Sequence, residues 1–347
     1  MTSKEAIFSV LRRKNIGRVP LVAYSFLLPR GETEREVREK GCGIFQFERV
    51  YLSEMKKVEI CLKEGFESGQ KFTFRRLSTP VGKVEEKILV DPGYDSQWVK
   101  EFLIKEPEDY KVLEYIVGNT VYYPNYEPFQ RVEKDLGEDG ILFANVDRSP
   151  FQKLLLELAG PERLLVDIYE REELVESLMG ALTRKQEEIY RIVINSPAPV
   201  VHNWDNVTED LTSPRLFEKY CVPFYQKFGR LLRERGKLFV VHMDGKLKHL
   251  KDLIAQTPID VIESFTLPDA GGNLTIKEAQ EGWREKTIIA NLPAYLSLEK
   301  EEFIRDYFAS LVSQVDKKRF MVCVSEDLPR DLWQRTLKIV ADTLDKS

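Results

Sequence analysis

The chain has 347 residues, 43% hydrophobic and 31% charged, with a formal net charge of −5. A chain of this size buries a core without disulfide or metal staples, and its weakly acidic balance leaves no basic footprint for nucleic acid. No run approaches the roughly eighteen apolar residues of a membrane span.

The chain opens with MTSKEAIFSVLRRKN, charged and amphipathic, which reads as a helix rather than a signal peptide. Arg18–Ala23 reads as a short strand, Glu32–Lys40 as a polar helix and Gly43–Val50 as a second strand. Residues 71–90 alternate on both sides of Thr79-Pro80-Val81-Gly82, the pattern of a β-hairpin with turn residues in place. Pro107 with Glu108 and Asp109 opens a helix in the manner of a proline-started, acid-rich first turn. From residue 141 the rhythm is regular. Strands are expected at 141–147, 198–205, 237–245, 260–266, 286–293 and 319–327, with helical periodicity between them; Ser213-Pro214 caps and starts the helix that runs towards Arg235.

Outside the hairpin this makes eight strands alternating with helices, an α/β chain that points to a closed (β/α)8 barrel. No GxGxxG follows the first strand, which removes the main reason to prefer a doubly wound sheet. The expected organisation is one barrel domain over 1–347, with the hairpin and a helical segment inserted between strands two and three at about 66–138. The four cysteines, Cys42, Cys61, Cys221 and Cys323, show no paired spacing and read as free thiols in a reducing cytoplasm.

A barrel of this kind works at the C-terminal ends of its strands, so the strand ends supply the candidates. Strand three ends in Asn145 and Asp147, strand four in His202, Asn203 and Asp205, and strand five in His242 and Asp244. Strand six carries Glu263, strand seven ends in Asn291, and strand eight in Ser325, Glu326 and Asp327. One imidazole with two carboxylates suits zinc, manganese or iron with open positions, so His242, Asp244 and Glu326 are the expected metal ligands. The competing reading makes His242 and Asp244 loop and helix caps beside Gly245. His202 and Asp205 are expected as acid–base groups; a core histidine and an N-cap are the alternatives. A carboxylate inside a buried parallel strand is costly unless paired or liganded, which weights Glu263 towards function, as a fourth metal ligand or a catalytic base. Asn145, Asn203 and Asn291 are expected to contact substrate, with Tyr123 from VYYPNYEPF lining a pocket or packing the insertion. His249 sits in a lysine-rich helix and reads as solvated.

The ordered set NIGRVPLV, LTSPRLFEKYCVPFYQKF, RGKLFVVHMDGKLKHLKDLIAQTPIDVIE, EAQEGWREKTIIANLPAYL and SEDLP resembles the uroporphyrinogen decarboxylase superfamily, which also holds corrinoid-dependent methyltransferases. The resemblance covers most of the chain and implies a (β/α)8 barrel. The decarboxylases' arginine-bearing RQAGRYLPEY stretch has no counterpart, since SFLLPRGETEREVREKG stands there. The methyltransferase branch holds zinc through an HxC pair and a later Cys. Here His242 matches, Asp244 replaces the first thiolate, and Glu326 falls near the second. The resemblance therefore implies a methyltransferase-like enzyme with a divalent metal, zinc foremost, and a corrinoid as methyl donor. Expected partners are a small-molecule substrate, a corrinoid protein and a second copy of the chain. A tetrapyrrole or carboxylic-acid decarboxylase and a non-catalytic corrinoid-binding barrel are the alternatives.

Overall fold

A computed structural model describes residues 1–90 and 97–346; residues 91–96 of the expected insertion, and Ser347, lie outside the described residues. The chain groups into two compact units, one of Met1–Val50, Asn125–Val146 and Ser196–Ser347, the other of Tyr51–Pro124 and Asp147–Asn195.

The first unit carries eight parallel strands: β1 (Leu21–Tyr24), β2 (Gly43–Glu48), β3 (Gly140–Val146), β4 (Val200–Asn203), β5 (Leu238–His242), β6 (Val261–Phe265), β7 (Thr287–Asn291) and β8 (Phe320–Val324). Each pairs with the next, and β8 returns to β1 with Cys323 opposite Val22, closing the barrel. Strands buried on both faces read as continuous apolar runs, which is why VVHN, FVVH and FMVCV carry hardly a polar residue until their ends. Alternation along each strand sends Val22, Phe45, Ile141, Val200, Val240 and Met321 into one lumen cluster. The helix Ser3–Leu11, held by a Thr2–Glu5 capping box, adds Ile7, Val10 and Leu11 to that cluster and so plugs the N-terminal end of the barrel. Chemistry is left to the C-terminal end.

Two lysines brace the plugged end. Lys237, just before β5, donates to the carbonyls of Ser196 and Ala198 at 2.7 and 2.6 Å. Lys286, just before β7, donates to those of Thr257 and Ile259 at 2.6 and 2.9 Å. Each ammonium thereby satisfies carbonyls in the loop entering the preceding strand, groups that are costly to bury unpaired. Gly140 is required where β3 starts, because a Cβ there would sit 1.9 Å from the Ile44 carbonyl oxygen.

The helix after β4 starts as its sequence says, with the Ser213 hydroxyl accepting from Leu216 N at 3.4 Å and Pro214 at its first position. It then opens into a π turn at Phe217–Cys221 before Val222–Glu234. Pro223 explains the turn, since proline has no N–H to give and its ring crowds the carbonyl one turn earlier.

In the second unit, Tyr51–Met55 pairs antiparallel with Thr120–Pro124. A four-stranded antiparallel sheet runs Glu59–Glu67, Gln70–Thr79, Gly82–Val90 and Gln97–Glu101. Its tight turn puts Gly82 at φ 143°, and the Thr79 hydroxyl donates to the Gly82 carbonyl at 2.8 Å. Helices Pro107–Gly118, Pro161–Glu170 and Glu172–Ile194 complete it. They are tied by the buried Asp167, which accepts from Tyr110 at 2.9 Å, Arg163 at 2.7 Å and Arg171 at 2.9 Å. Among the described residues no helix is long and apolar enough to cross a membrane.

Candidate active site

The C-terminal end of the lumen is built around Glu263. On β5 and β6, His242 and Glu263 are register partners. Beyond them the pairing of β6 with β7 slips, Ile262 opposing Ile288 but Phe265 opposing Ala290. The extra residue is a β-bulge, with Ser264 at φ 60°, a conformation that L-residues adopt at a cost. The bulge has a clear consequence. Glu263 faces the lumen towards β4 and β5, Ser264 places its hydroxyl 2.9 Å from the Ser325 hydroxyl, and Phe265 turns outward onto Trp283. Two consecutive polar side chains thus reach the same interior.

Three donors surround the Glu263 carboxylate. The Tyr24 hydroxyl donates to Oε1 at 2.5 Å; His242 Nδ1 and His202 Nε2 lie 2.7 and 3.2 Å from Oε2. On its far edge His242 Nε2 stands 3.5 Å from Asp244 Oδ2, which also accepts from Asn206 Nδ2 at 2.9 Å. His202 and Glu263 are wholly buried and His242 nearly so. Among the described residues neither Glu263 nor Asp244 is paired with a lysine or arginine; their counter-charge is imidazole. An aromatic wall stands over them, with ring centroids of Phe47 and Trp204 5.0 and 5.7 Å from Tyr24, and Trp204 4.5 Å from His202.

The electrostatics follow from burial and charge. Burial alone would push the Glu263 carboxyl up, but the His242 charge and the hydrogen bonds of His202 and His242 outweigh it and hold Glu263 ionised, well below the usual range. Burial would lower His242, yet the Glu263 charge and its bonds to Asp244 and Glu263 carry it well above an ordinary histidine. Asp244 is likewise held down against its own burial, mainly by His242. His202 is pushed down, first by burial, and is neutral. Burial and then the Glu263 charge keep the Tyr24 phenol protonated.

The donor set suits a divalent metal. One ligand atom each of His202, His242 and Glu263 lie within 4.8 Å of one another; two imidazoles and a carboxylate match zinc, iron or manganese. A buried carboxylate without a Lys or Arg partner leaves the pocket with negative charge to spare for a cation. Thiolate does not enter, because burial holds the lumen-facing Cys323 thiol far above its ordinary pKa.

The structure sorts the expected residues differently from their spacing in sequence. Of His242, Asp244 and Glu326, only His242 belongs to the group of three. Asp244 stands behind His242. Glu326 follows the inward-facing Ser325 past the end of β8 and is exposed, although desolvation and then the Asp244 charge raise its carboxyl. His202, expected as an acid–base group, and Glu263, expected as a fourth ligand or a base, are the other two members. Asp205 is turned away to accept from the Tyr225 hydroxyl at 2.6 Å, tying the strand end to the following helix. Asn291 faces the lumen and accepts from the Ser325 hydroxyl at 3.0 Å. Asn145 and His202 are register partners on β3 and β4, whereas Asn203 is buried out of phase with His202. Tyr123 lies in the second unit, 42% exposed on the Thr120–Pro124 strand. His249 is an exposed side chain bonded to Glu209 at 2.8 Å. Gly245 is needed because a Cβ there would meet Thr208 Cβ at 2.2 Å.

Sequence reasoning missed Tyr24, Trp204 and Ser264. Tyr24 ends the apolar run LVAY, where an aromatic reads as core; its one signal was its place at a strand end. Trp204 stands between Asn203 and Asp205, two of the three polar residues of HNWD that drew attention.

The family model of uroporphyrinogen decarboxylase (URO-D) matches residues 97–346. Among solved structures, a methyltransferase from Methanosarcina mazei superimposes with a TM-score of 0.60 at 11% identity, covering 100% of this chain and 99% of that one. At that identity the likeness concerns the fold. The tandem GH20 catalytic modules of the pneumococcal exo-beta-D-N-acetylglucosaminidase StrH match with a TM-score of 0.40 at 10% identity, over 96% of this chain and 86% of that chain, too loosely to carry an argument. No curated protein matches the sequence. With its eight-stranded closed barrel and a family match over more than half its length, the chain belongs to the uroporphyrinogen decarboxylase family.

Proposed function

We propose that this barrel is a metal-dependent enzyme of the methyltransferase type, with a divalent metal, zinc foremost, held by His202, His242 and Glu263. The observation that carries this reading is the buried group of two imidazoles and one carboxylate at the strand ends, with no lysine or arginine against the carboxylate among the described residues. When bound, such a metal supplies Lewis acidity that stabilises the anionic form of a small acceptor, a thiol or hydroxyl. The chain's own residues prepare the site. Tyr24 fixes one oxygen of Glu263 and leaves the other facing the imidazoles. Asp244, itself held by Asn206, orients His242 from behind, as carboxylates behind metal-ligating histidines do. Phe47 and Trp204 offer an apolar wall against which a methyl group can lie without water. A methylated corrinoid, delivered by a corrinoid protein, is the donor in this reading, supported by the family and by the fold shared with the Methanosarcina mazei methyltransferase.

The decarboxylase alternative is less favoured. An anionic, carboxylate-rich substrate calls for cations, whereas Glu263 and Asp244 add negative charge at the strand ends.

Elemental analysis of chelator-free wild-type protein beside Glu263→Gln tests the reading. About one equivalent of transition metal is expected in the wild type and little in the variant, together with methyl transfer from methylcobalamin to thiols by the wild type only. Wild-type protein that neither carries metal nor takes up added zinc would refute it.

A further inference from the structure

Two kinds of unmatched group meet at the C-terminal end of the lumen. The first is a run of rings. Phe26, 64% exposed, has its ring centroid 5.3 Å from that of Tyr24 and 6.5 Å from that of Phe47. Phe47 lies 4.8 Å from the half-buried Trp204, and Trp204 lies 4.5 and 5.2 Å from His202 and His242. Aromatic rings thus lead from solvent to the imidazoles. The second is negative charge. Asp244, half-buried, stands 3.5 Å from His242, and the exposed Glu326 feels the charges of Asp244, His242 and Asp327.

Elsewhere the chain supplies such groups with its own cations. Arg12 lies over Phe8, Lys87 over Phe72, Lys100 over the exposed Trp98 and Lys219 over Tyr220, at 5.4, 4.3, 5.1 and 4.6 Å from the centroids. Carboxylates pair likewise, Glu36 with Lys338 and Asp342 with Lys40. Among the described residues no lysine or arginine lies over Phe26, Phe47 or Trp204, and none pairs with Asp244 or Glu326. A metal does not remove the imbalance. Ligating imidazoles are neutral, so a divalent ion offsets Glu263 and Asp244 and leaves Glu326, and an acceptor held as its anion adds a further negative charge. Aromatic faces beside uncompensated carboxylates attract cations, quaternary ammonium groups above all, whereas a second negative charge on the acceptor would meet charge of its own sign.

We infer that the methyl acceptor is a cation, a small thiol or alcohol carrying an ammonium group, which binds with its sulfur or oxygen at the imidazoles and its ammonium beside Trp204, in the field of Asp244 and Glu326. The inference rests on the metal reading above and adds to it the class of acceptor. Trp204 and Glu326 are then the residues that determine specificity, one by its ring and the other by its charge.

Calorimetric titration of zinc-loaded protein with three thiols of one length tests it: cationic (2-mercaptoethyl)trimethylammonium, neutral 2-mercaptoethanol and anionic 2-mercaptoethanesulfonate. The cation is expected to bind about 10-fold or more tighter than the neutral thiol, and the sulfonate weakest. Trp204→Leu and Glu326→Gln, each shown to fold by thermal melting, are expected to weaken the cation by roughly 3–30-fold and to leave the neutral thiol nearly unchanged. Equal affinity for the three thiols, a preference for the sulfonate, or equal losses for cation and neutral thiol in both variants overturns the inference while leaving the metal reading standing. Wild-type protein that takes up no zinc refutes the metal reading. Choline, which has no thiol, then decides the cation preference alone: binding that Trp204→Leu abolishes supports it, and no binding overturns it.

Discussion

Glu263 is an anion buried in the barrel, and its neighbours explain how it stays charged. Its three donors are a phenol and two imidazoles, and one of these, His242, carries the compensating charge. Removing the Tyr24 hydroxyl isolates one bond of this set. Tyr24→Phe is expected to lower the unfolding free energy by about 1.5–3 kcal/mol, the range for a hydrogen bond to a charged group, with an unchanged denaturant slope; a midpoint equal to wild type in urea titration would contradict it. The paired shifts also set a pH dependence. His242 is raised in the folded state, so its contribution is full below the ordinary histidine value and is lost as pH climbs through the raised one. Glu263 is lowered, so its contribution is full above the ordinary glutamate value and is lost as pH falls through the depressed one. In chelated protein the pair therefore stabilises most between roughly pH 4.3 and 6.5, and stability declines on the alkaline side. Urea unfolding at several pH values should show a steeper alkaline decline for wild type than for Glu263→Gln, in which His242 loses its main partner; parallel curves would refute the assignment.

At the scale of the element, the bulge in β6 decides what the site contains. An unbroken strand would alternate Glu263 inward and Ser264 outward; the slip between Ile262 and Phe265 brings the Ser264 hydroxyl to Ser325 as well and returns Phe265 to the helix side. The left-handed φ of Ser264 makes the bulge testable. Ser264→Gly adopts that conformation freely and is expected to keep both fold and metal uptake. Ser264→Val is branched at Cβ and resists positive φ; it should cost about 1–3 kcal/mol and reduce metal content by displacing Glu263. Comparable stability and metal content in the two variants would show that the bulge does not position the carboxylate. The π turn at Phe217–Cys221 and the lysine braces at Lys237 and Lys286 have the same character, local departures whose cause lies in a neighbouring group.

Over the whole molecule, the barrel is plugged at one end by Ile7, Val10 and Leu11 and polar at the other, so the polar groups meet where eight strands finish. Thiol chemistry gives a global check. Cys42, Cys221 and Cys323 are buried, and only Cys61, on the Glu59–Glu67 strand of the second unit, is partly exposed. Native protein is expected to react quickly with a thiol reagent at one of its four cysteines, and at all four in denaturant. Fast reaction of Cys323 would mean that the lumen is open where the structure closes it.

The strands announced themselves because a parallel strand buried on both faces must be apolar throughout, so VVHN, FVVH and FMVCV stood out against helical periodicity and located the barrel within a few residues. The same logic pointed to His202, His242 and Glu263, since a titratable group ending such a run is expensive without a partner. Their grouping could not be read along the chain. Spacing suggested Asp244 and Glu326 as ligands, because they sit where a related motif has thiolates, but sequence separation carries no information about which strand ends converge. Closure of the sheet brought β4, β5 and β6 together, so that strand alternation set Glu263 against both histidines, a one-residue bulge added Ser264 to the same interior, and Asp244 fell behind one of the histidines. Tyr24 remained hidden for the same reason: its apolar ring reads as core, and only the closed barrel shows that its hydroxyl ends on Glu263.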